Sequence, residues 1–510
     1  MNAPFEARLP SFEAFAALYE AGTPQLLATR LVADLETPVS AYLKLSSGRT
    51  GSSFLLESVE GGASRGRYSM IGLDPDVVWR ASGGRCEINR RAARDPDGFE
   101  PCSEAPLHAL RALIAESAVP AVPGLPPMAA GVFGYLGYDM VRDMERLGPP
   151  KPDPIGVPDA IMIRPTIMVV FDSVRDEMIV VTPVRPQAGA AARTAWEDAC
   201  DRIERVVATL EGPLLHDGAG DPHLLAEPPV SNTPEAAFLA MVERAKDYVR
   251  AGDVFQVVLS QRFTAPFALP AFSLYRALRR VNPAPFLCHL DFGAFQIVCS
   301  SPEILVRVRE GEVTIRPIAG TRWRGATAAE DEKLAADLLA DEKERAEHLM
   351  LLDLGRNDVG RVAEIGTVAV TEQFAVERYS HVMHIVSNVV GRLDPRRDAI
   401  DALCAGFPAG TVSGAPKVRA MEIIDELEAD KRGIYGGCIG YFGACGEMDT
   451  CIVLRTSVVK DGLMHVQAGA GVVYDSDPAY EHRECVNKAR ALFRAAEEAV
   501  RFATRAKRGQ

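Results

Sequence analysis

The sequence predicts an α+β protein built on antiparallel sheets, and two observations carry that prediction. Strand-like runs are numerous but do not alternate regularly with helical stretches, as a doubly wound parallel fold would require. At 510 residues the chain has room for about two to four domain-sized units. In order, Ser53-Phe-Leu-Leu-Glu-Ser58 and Ile161–Phe171 read as strands in the N-terminal half. Ser117 to Tyr138 is uncharged, but Pro120, Pro123, Pro126, Pro127 and many glycines exclude a spanning helix, so it reads as a loop entering a buried strand. Gly212 to Pro234 is rich in Gly, Pro and Asp and reads as a linker. Thr233 is the expected N-cap, with Pro234 in the first helical position, for a helix through Phe238, Met241, Val242 and Ala245 that stops at Gly252. Val254–Phe263 reads as a strand with Phe255, Val257, Leu259 and Phe263 on one face and Gln256, Val258, Ser260 and Arg262 on the other. Further strands are expected at Gln296–Cys299, Val313–Arg316, Ile452–Val459 and Met464–Ala468.

Composition narrows the function. The net charge of −13 disfavours broad binding to nucleic acid or an anionic membrane. An anionic substrate would therefore need local cations or a metal. Ten cysteines at scattered spacings, with no CxxC pair, suit reduced cytosolic thiols better than a disulfide scaffold. The N-terminus carries no apolar signal core, and a cytoplasmic location is expected.

The chemistry concentrates in a few motifs. Arg316-Pro-Ile-Ala-Gly-Thr-Arg322 closes the strand-like Glu312-Val-Thr-Ile run and opens a loop. Glu344 and Glu347 stand three apart on an expected helix, as do Glu481 and Glu484 far downstream. Residues so spaced share a helix face, and two such pairs can meet around one hard cation. Either pair alone could equally line a solvated helix face. Gln467-Ala-Gly-Ala-Gly-Val-Val473 reads as a glycine loop between a strand and a helix, where backbone N–H groups could approach an anion. Its spacing is not that of a dinucleotide fingerprint or P-loop, so tight packing would also explain it. Arg455 is a charge inside an apolar strand; a structural ion pair or a ligand carboxylate would satisfy it.

Taken with their surrounding words, these motifs resemble the chorismate-utilising enzymes, most closely the anthranilate synthase component I (large subunit) family. The match is strongest from Thr233 to about Phe502. It extends into the N-terminal half through Leu55–Ser58, Gly66–Gly72 and Gly131–Asp139. The resemblance implies antiparallel sheets packed as a sandwich with helices outside. It also implies an N-terminal domain over residues 1–230, contributing to tryptophan binding, and a chorismate-binding catalytic domain over 231–505. It implies Mg²⁺ as cofactor, with Glu347 and Glu484 as direct ligands and Glu344 and Glu481 behind them. Substrate contacts follow at Gly320, Thr321, Tyr435, Arg455, Gly469, Ala470, Gly471, Val473 and Lys488. Glu303 matches the general acid that protonates the departing C4 hydroxyl, Thr411 a neighbouring active-site position, and His384 a histidine near the enolpyruvyl group.

Two positions separate the relatives chemically. Members that add water at C2 carry a lysine base at the position of Gln256; glutamine cannot take a proton, whereas ammonia needs no base. Aminodeoxychorismate synthases attack with a lysine at the position of Ala319. Both substitutions favour anthranilate formation over aminodeoxychorismate or isochorismate/salicylate synthesis. A non-catalytic chorismate-binding regulator is the alternative, although no expected catalytic group is missing. Ammonia is expected free or from a separate glutamine amidotransferase small subunit, in a heterotetramer. Tryptophan is the expected feedback inhibitor, at Ser58 together with Pro285, Phe286 and Leu287; the last two replace the family's usual Tyr and Met.

Overall fold

Period-two alternation along the strands decides the architecture. In Ser53–Ser58, Leu55 faces one hydrophobic cluster while Phe54 and Leu56 face another, and the partner strand repeats this with Ile71 against Met70. Both faces of these strands are therefore buried, which requires layers on each side. The computed structural model describes residues 10–58, 66–214, 228–379 and 382–505. Among them, 22 strands join one continuous hydrogen-bonded network.

Two long strands, Tyr68–Ser82 and Ala160–Asp172, pair antiparallel almost end to end, with a register shift between Pro75 and Val77. Their halves serve different layers, as expected where strands turn a corner between packed sheets. One layer runs from Tyr68–Leu73 through Ser53–Ser58, Phe286–Asp291, Gln296–Ser301, Thr456–Lys460 and Leu463–Val472 to Gln256–Pro266. The other runs from Ala160–Arg164 through Gly131–Leu136, Cys438–Gly443, Met448–Ile452, Ile304–Arg309 and Glu312–Ile315 to Val382–Arg392. Phe54, Phe133 and Tyr441 stack between the layers at 4.7 and 5.5 Å. Helices cover the outer faces: Ala192–Glu211, Ala271–Val281 and Pro478–Arg505 on one side, Pro106–Glu116, Glu342–Gly360 and Ala399–Gly406 on the other. This is the expected α+β sandwich. Strand pairing crosses residue 230 freely, since Ser53–Ser58 pairs with Phe286–Asp291 and Gly131–Leu136 with Cys438–Gly443.

Several expectations need correction. The helix after the linker begins at Glu235 with Pro234 as N-cap, and Thr233 donates to Asn232 instead of capping. Its stop at Gly252 holds, with φ +82°. Phe255 precedes the Gln256–Pro266 strand and is 72% exposed, whereas Val257, Leu259 and Phe263 are buried. The Arg316–Arg322 stretch is not a loop: Ile318–Trp323 forms a strand bulged between Ala319 and Arg322. Ile452–Val459 is two strands broken at Val453–Arg455. The glycine loop is also strand, lying inside Leu463–Val472. Within the linker, residues 215–227 lie outside the described residues. Ser117–Tyr138 enters the strand Gly131–Leu136 as expected, and no helix among the described residues is long and apolar enough to cross a membrane.

Candidate active site

Each catalytic candidate sits where a strand ends or deforms. Glu303 follows the strand Gln296–Ser301, and its carbonyl accepts the Ile452 N–H at 3.0 Å. Its carboxyl is buried and accepts a hydrogen bond from Thr411 Oγ1 at 2.9 Å. Burial raises its pKa to about 8, against the lowering effects of Thr411 and Arg455, so it is mainly protonated at neutral pH. Thr411 comes from the short 3₁₀ turn Gly410–Val412.

Arg455 occupies the break between two strands at φ +48°, a left-handed conformation unusual for a residue with a side chain. It is half-buried, and its guanidinium makes no hydrogen bond or ion pair among the described residues. Burial lowers its pKa, while Tyr379 and Glu303 would favour its cation when ionised. Among the described residues the structural ion pair that the sequence left open is therefore absent, and the guanidinium is available to an outside carboxylate.

The bulge at Ala319–Arg322 turns Gly320 to φ +71°, with Glu344 and Leu338 packed where a Cβ would stand. Nδ1 of His384 donates to the Gly320 carbonyl at 2.8 Å and lies 3.2 Å from Thr321 Oγ1, which leaves Nε2 as an acceptor. Burial lowers the His384 pKa, so its ring is neutral. Tyr379 packs edge-on to that ring at 5.5 Å.

Gly469 and Gly471 sit opposite Ser260 and Val258 in the sheet, on the same face. A Cβ on Gly471 would stand 2.3 Å from Gln256 Nε2, and one on Gly469 2.8 Å from the Tyr435 hydroxyl. Ala470 points the other way, into the core. The glycines thus admit Gln256 and Tyr435 to the strand. Val473 lies just beyond it, its N–H donating to Ser476. Gln256 donates to Glu347 at 3.4 Å, while its buried Oε1 has no partner.

The two Glu pairs arrive from opposite helices. Glu344 and Glu347 lie on Glu342–Gly360, and Glu481 and Glu484 on Pro478–Arg505. Glu347 reaches Gln256 over Gly471, whereas Glu484 binds Lys488, whose Nζ also donates to the Gly469 carbonyl at 2.9 Å. Both pairs therefore approach one short piece of strand. Burial chiefly raises the pKa of Glu344, with Glu347 adding to it, and burial likewise raises that of Glu481. No three of these carboxylates lie within 4.8 Å of one another; the trio of ligating atoms that does, among the described residues, is Cys288, Cys299 and Cys451. Hard oxygen donors with space between them fit Mg²⁺, which uses one or two carboxylates and keeps several waters. Lys488 therefore lies at Glu484 as well as at the substrate strand. Arg322, read only as the end of a motif, binds Glu344, Asp337 and Asp341.

The segments expected to bind an inhibitor are neighbours. Ser58 stands directly opposite Phe286, with Leu287 opposite Glu57 and Pro285 one residue before. On its other edge Phe286 pairs with Ser301, two residues before Glu303. Tyr275 and Arg279 hold Glu57 from behind.

Residues 53–494 match the chorismate binding enzyme family. The chain is 57% identical over 502 residues to anthranilate synthase component 1 of Cereibacter sphaeroides, covering 98% of this chain and all of the relative. It is 49% identical to that of Pseudomonas putida, over 92% of this chain and 94% of the relative. Among solved structures it resembles anthranilate synthase component I of Streptococcus pneumoniae, with TM-score 0.74, 39% identity, and 91% and 98% of the two chains covered. A menaquinone-specific isochorismate synthase of Escherichia coli shares the fold at 20% identity and TM-score 0.69.

Proposed function

Because the chain belongs to the chorismate-binding enzymes, as a member of their anthranilate synthase component I branch, we propose that it joins chorismate and ammonia to give anthranilate, pyruvate and water, with Mg²⁺. The observation that carries this reading is a buried carboxyl at Glu303, hydrogen-bonded by Thr411 and with its pKa raised by burial, near a guanidinium at Arg455 that has no partner among the described residues. Arg455 takes a carboxylate of chorismate through two parallel hydrogen bonds. Glu303 protonates the C4 hydroxyl as it leaves, which makes water of a poor leaving group. The orphaned Oε1 of Gln256 accepts an N–H of ammonia and directs its lone pair at C2. Nε2 of His384 serves the later loss of pyruvate from the enolpyruvyl side. Glu347 and Glu484, with Glu344 and Glu481 behind, would hold Mg²⁺, which would supply positive charge to the substrate carboxylate. Gly320, Thr321, Tyr435, Gly469, Ala470, Gly471, Val473 and Lys488 shape the remaining contacts.

Isochorismate and aminodeoxychorismate chemistry are disfavoured, since neither Gln256 nor the buried Ala319 supplies the lysine those reactions use. Ammonia comes from a separate glutamine amidotransferase component, forming a cytoplasmic heterotetramer. Tryptophan binds at Ser58, Pro285, Phe286 and Leu287. The pairing of Phe286 with Ser301 sets that segment beside the strand that leads, two residues on, to Glu303, which supports a regulatory reading.

The test is anthranilate fluorescence from the purified chain with chorismate, MgCl₂ and ammonium at alkaline pH. A rising signal that EDTA abolishes and Glu484→Ala lacks supports the proposal. Chorismate consumed without fluorescence would point to a sibling reaction, and no consumption to a binding regulator.

A further inference from the structure

Against Glu303 lies a partly open cavity of about 30 Å³ whose lining includes neither Arg455 nor Gly469 and Gly471. Its wall includes Glu303, Thr411, Leu351, Leu354, Gly406 and Asp358. That volume admits about two waters, and the carboxyls of Glu303 and Asp358, the Thr411 hydroxyl and backbone carbonyls offer them polar partners. Asp358 is itself buried and ion-paired to the buried Lys417 at 2.9 Å; Lys417 also donates to the Gly406 carbonyl. Burial raises the Asp358 pKa and lowers that of Lys417, which brings the two protonation states of the pair closer together. Arg361 and Glu145 are the further charges acting on this pair, and they pair with each other at 3.7 Å at the surface. Arg455 and Tyr379 are the ionisable groups that interact with Glu303 itself.

Resting on the assignment of Glu303 as the acid, we propose that Asp358 and Lys417 are positioning residues that return a proton to Glu303 after each turnover, through water in this cavity. The need is chemical. Once Glu303 has given its proton to the departing hydroxyl, it is a buried carboxylate with substrate-derived groups over its open side. A cavity water gives a proton to Glu303 and takes one from the Asp358–Lys417 pair, so that an O–H bond forms at Glu303 and an N–H bond breaks at Lys417. Lys417 regains its proton from solvent on the Arg361–Glu145 side.

A structural role and a relay role differ in time. Glu303 enters the first turnover already protonated, so only later turnovers need the relay. Asp358→Asn/Lys417→Met removes both charges together, so that neither is left buried and unpaired; Leu354→Phe fills the cavity and leaves the pair intact. Ammonia-dependent anthranilate formation is followed by rapid mixing at about pH 6.5 and pH 7, below the Glu303 pKa of about 8, with total ammonium adjusted to hold free ammonia constant. For both variants the first turnover should match the parent within about threefold. The steady-state rate should fall at least tenfold, giving a burst of one product per site with a larger solvent deuterium effect after it. First and later turnovers slowing together, or neither slowing, would overturn the relay. Glu303→Gln is run alongside. If it loses its first turnover while the relay variants show no burst, only the relay fails; if Glu303→Gln stays fast, the acid assignment fails as well.

Discussion

Replacing Arg455 by methionine tests the central observation, because a paired and an unpaired arginine respond with opposite signs. Methionine keeps an unbranched apolar stem and meets the same φ of +48°. It removes only the guanidinium. Were Arg455 held in a buried ion pair, losing one partner would cost about 3–5 kcal/mol. In a chain of this size that lowers Tm by roughly 3–5 °C. Among the described residues the guanidinium has no such partner, and burial opposes its charge. The expected change in apo stability is therefore neutral to about 1 kcal/mol stabilising, after allowing for its partial exposure. Binding moves the other way. Two charge-assisted hydrogen bonds to a substrate carboxylate, discounted for solvent, amount to about 2–4 kcal/mol. At 1.36 kcal/mol per decade, chorismate KM should rise roughly 30- to 1,000-fold. The assays are thermal unfolding of the free protein and steady-state fluorescence. A Tm lowered by roughly 3 °C or more, or a KM within threefold of the parent, would refute the reasoning.

Glu303→Gln should lower kcat about 10²- to 10⁴-fold with KM changed severalfold at most. In the parent, kcat expressed per free ammonia should hold below about pH 7 and fall through about pH 8, since the acid form is the active one. The same raised pKa predicts that stability, full below the unfolded value near pH 4.5, declines as pH climbs through about 8. Glu303→Gln should flatten that decline in denaturant titrations, and an unflattened curve would count against the burial argument. Gly471→Ala puts a methyl 2.3 Å from Gln256 Nε2 and should lower kcat/KM for ammonia by about 10- to 100-fold. An unchanged value would remove Gln256 from ammonia binding. Ser58→Leu should raise the tryptophan inhibition constant at least tenfold, measured by isothermal titration; unchanged binding would place the inhibitor elsewhere.

Local chemistry made much of this protein legible from its sequence. Alternation marked Ser53–Ser58 and Ile161–Phe171 as strands, and Gly252 ended its helix, because these depend on neighbours a few positions away. Glu344 with Glu347, and Glu481 with Glu484, share helix faces for the same reason. Gln256 and Ala319 restricted the nucleophile by side-chain type alone. Other features depended on distant strands. The Arg316–Arg322 stretch and the glycines around Ala470 look like loops in isolation, yet pairing with Val382–Arg392 and with Gln256–Pro266 makes them strands. Whether Arg455 was paired could not be read from a strand-like run, because its partner would have to come from elsewhere in the fold. The approach of both Glu pairs to Gly469–Gly471, the pairing of Ser58 with Phe286, and the cavity joining Glu303 to Asp358 are likewise tertiary facts. Sequence by itself determined which elements form and which functional groups they carry, since spacing along one element fixes the face each side chain takes. Tertiary structure decided which groups meet and which stay unpartnered, because burial and long-range strand register set the pKa of Glu303 and leave Arg455 open to a ligand.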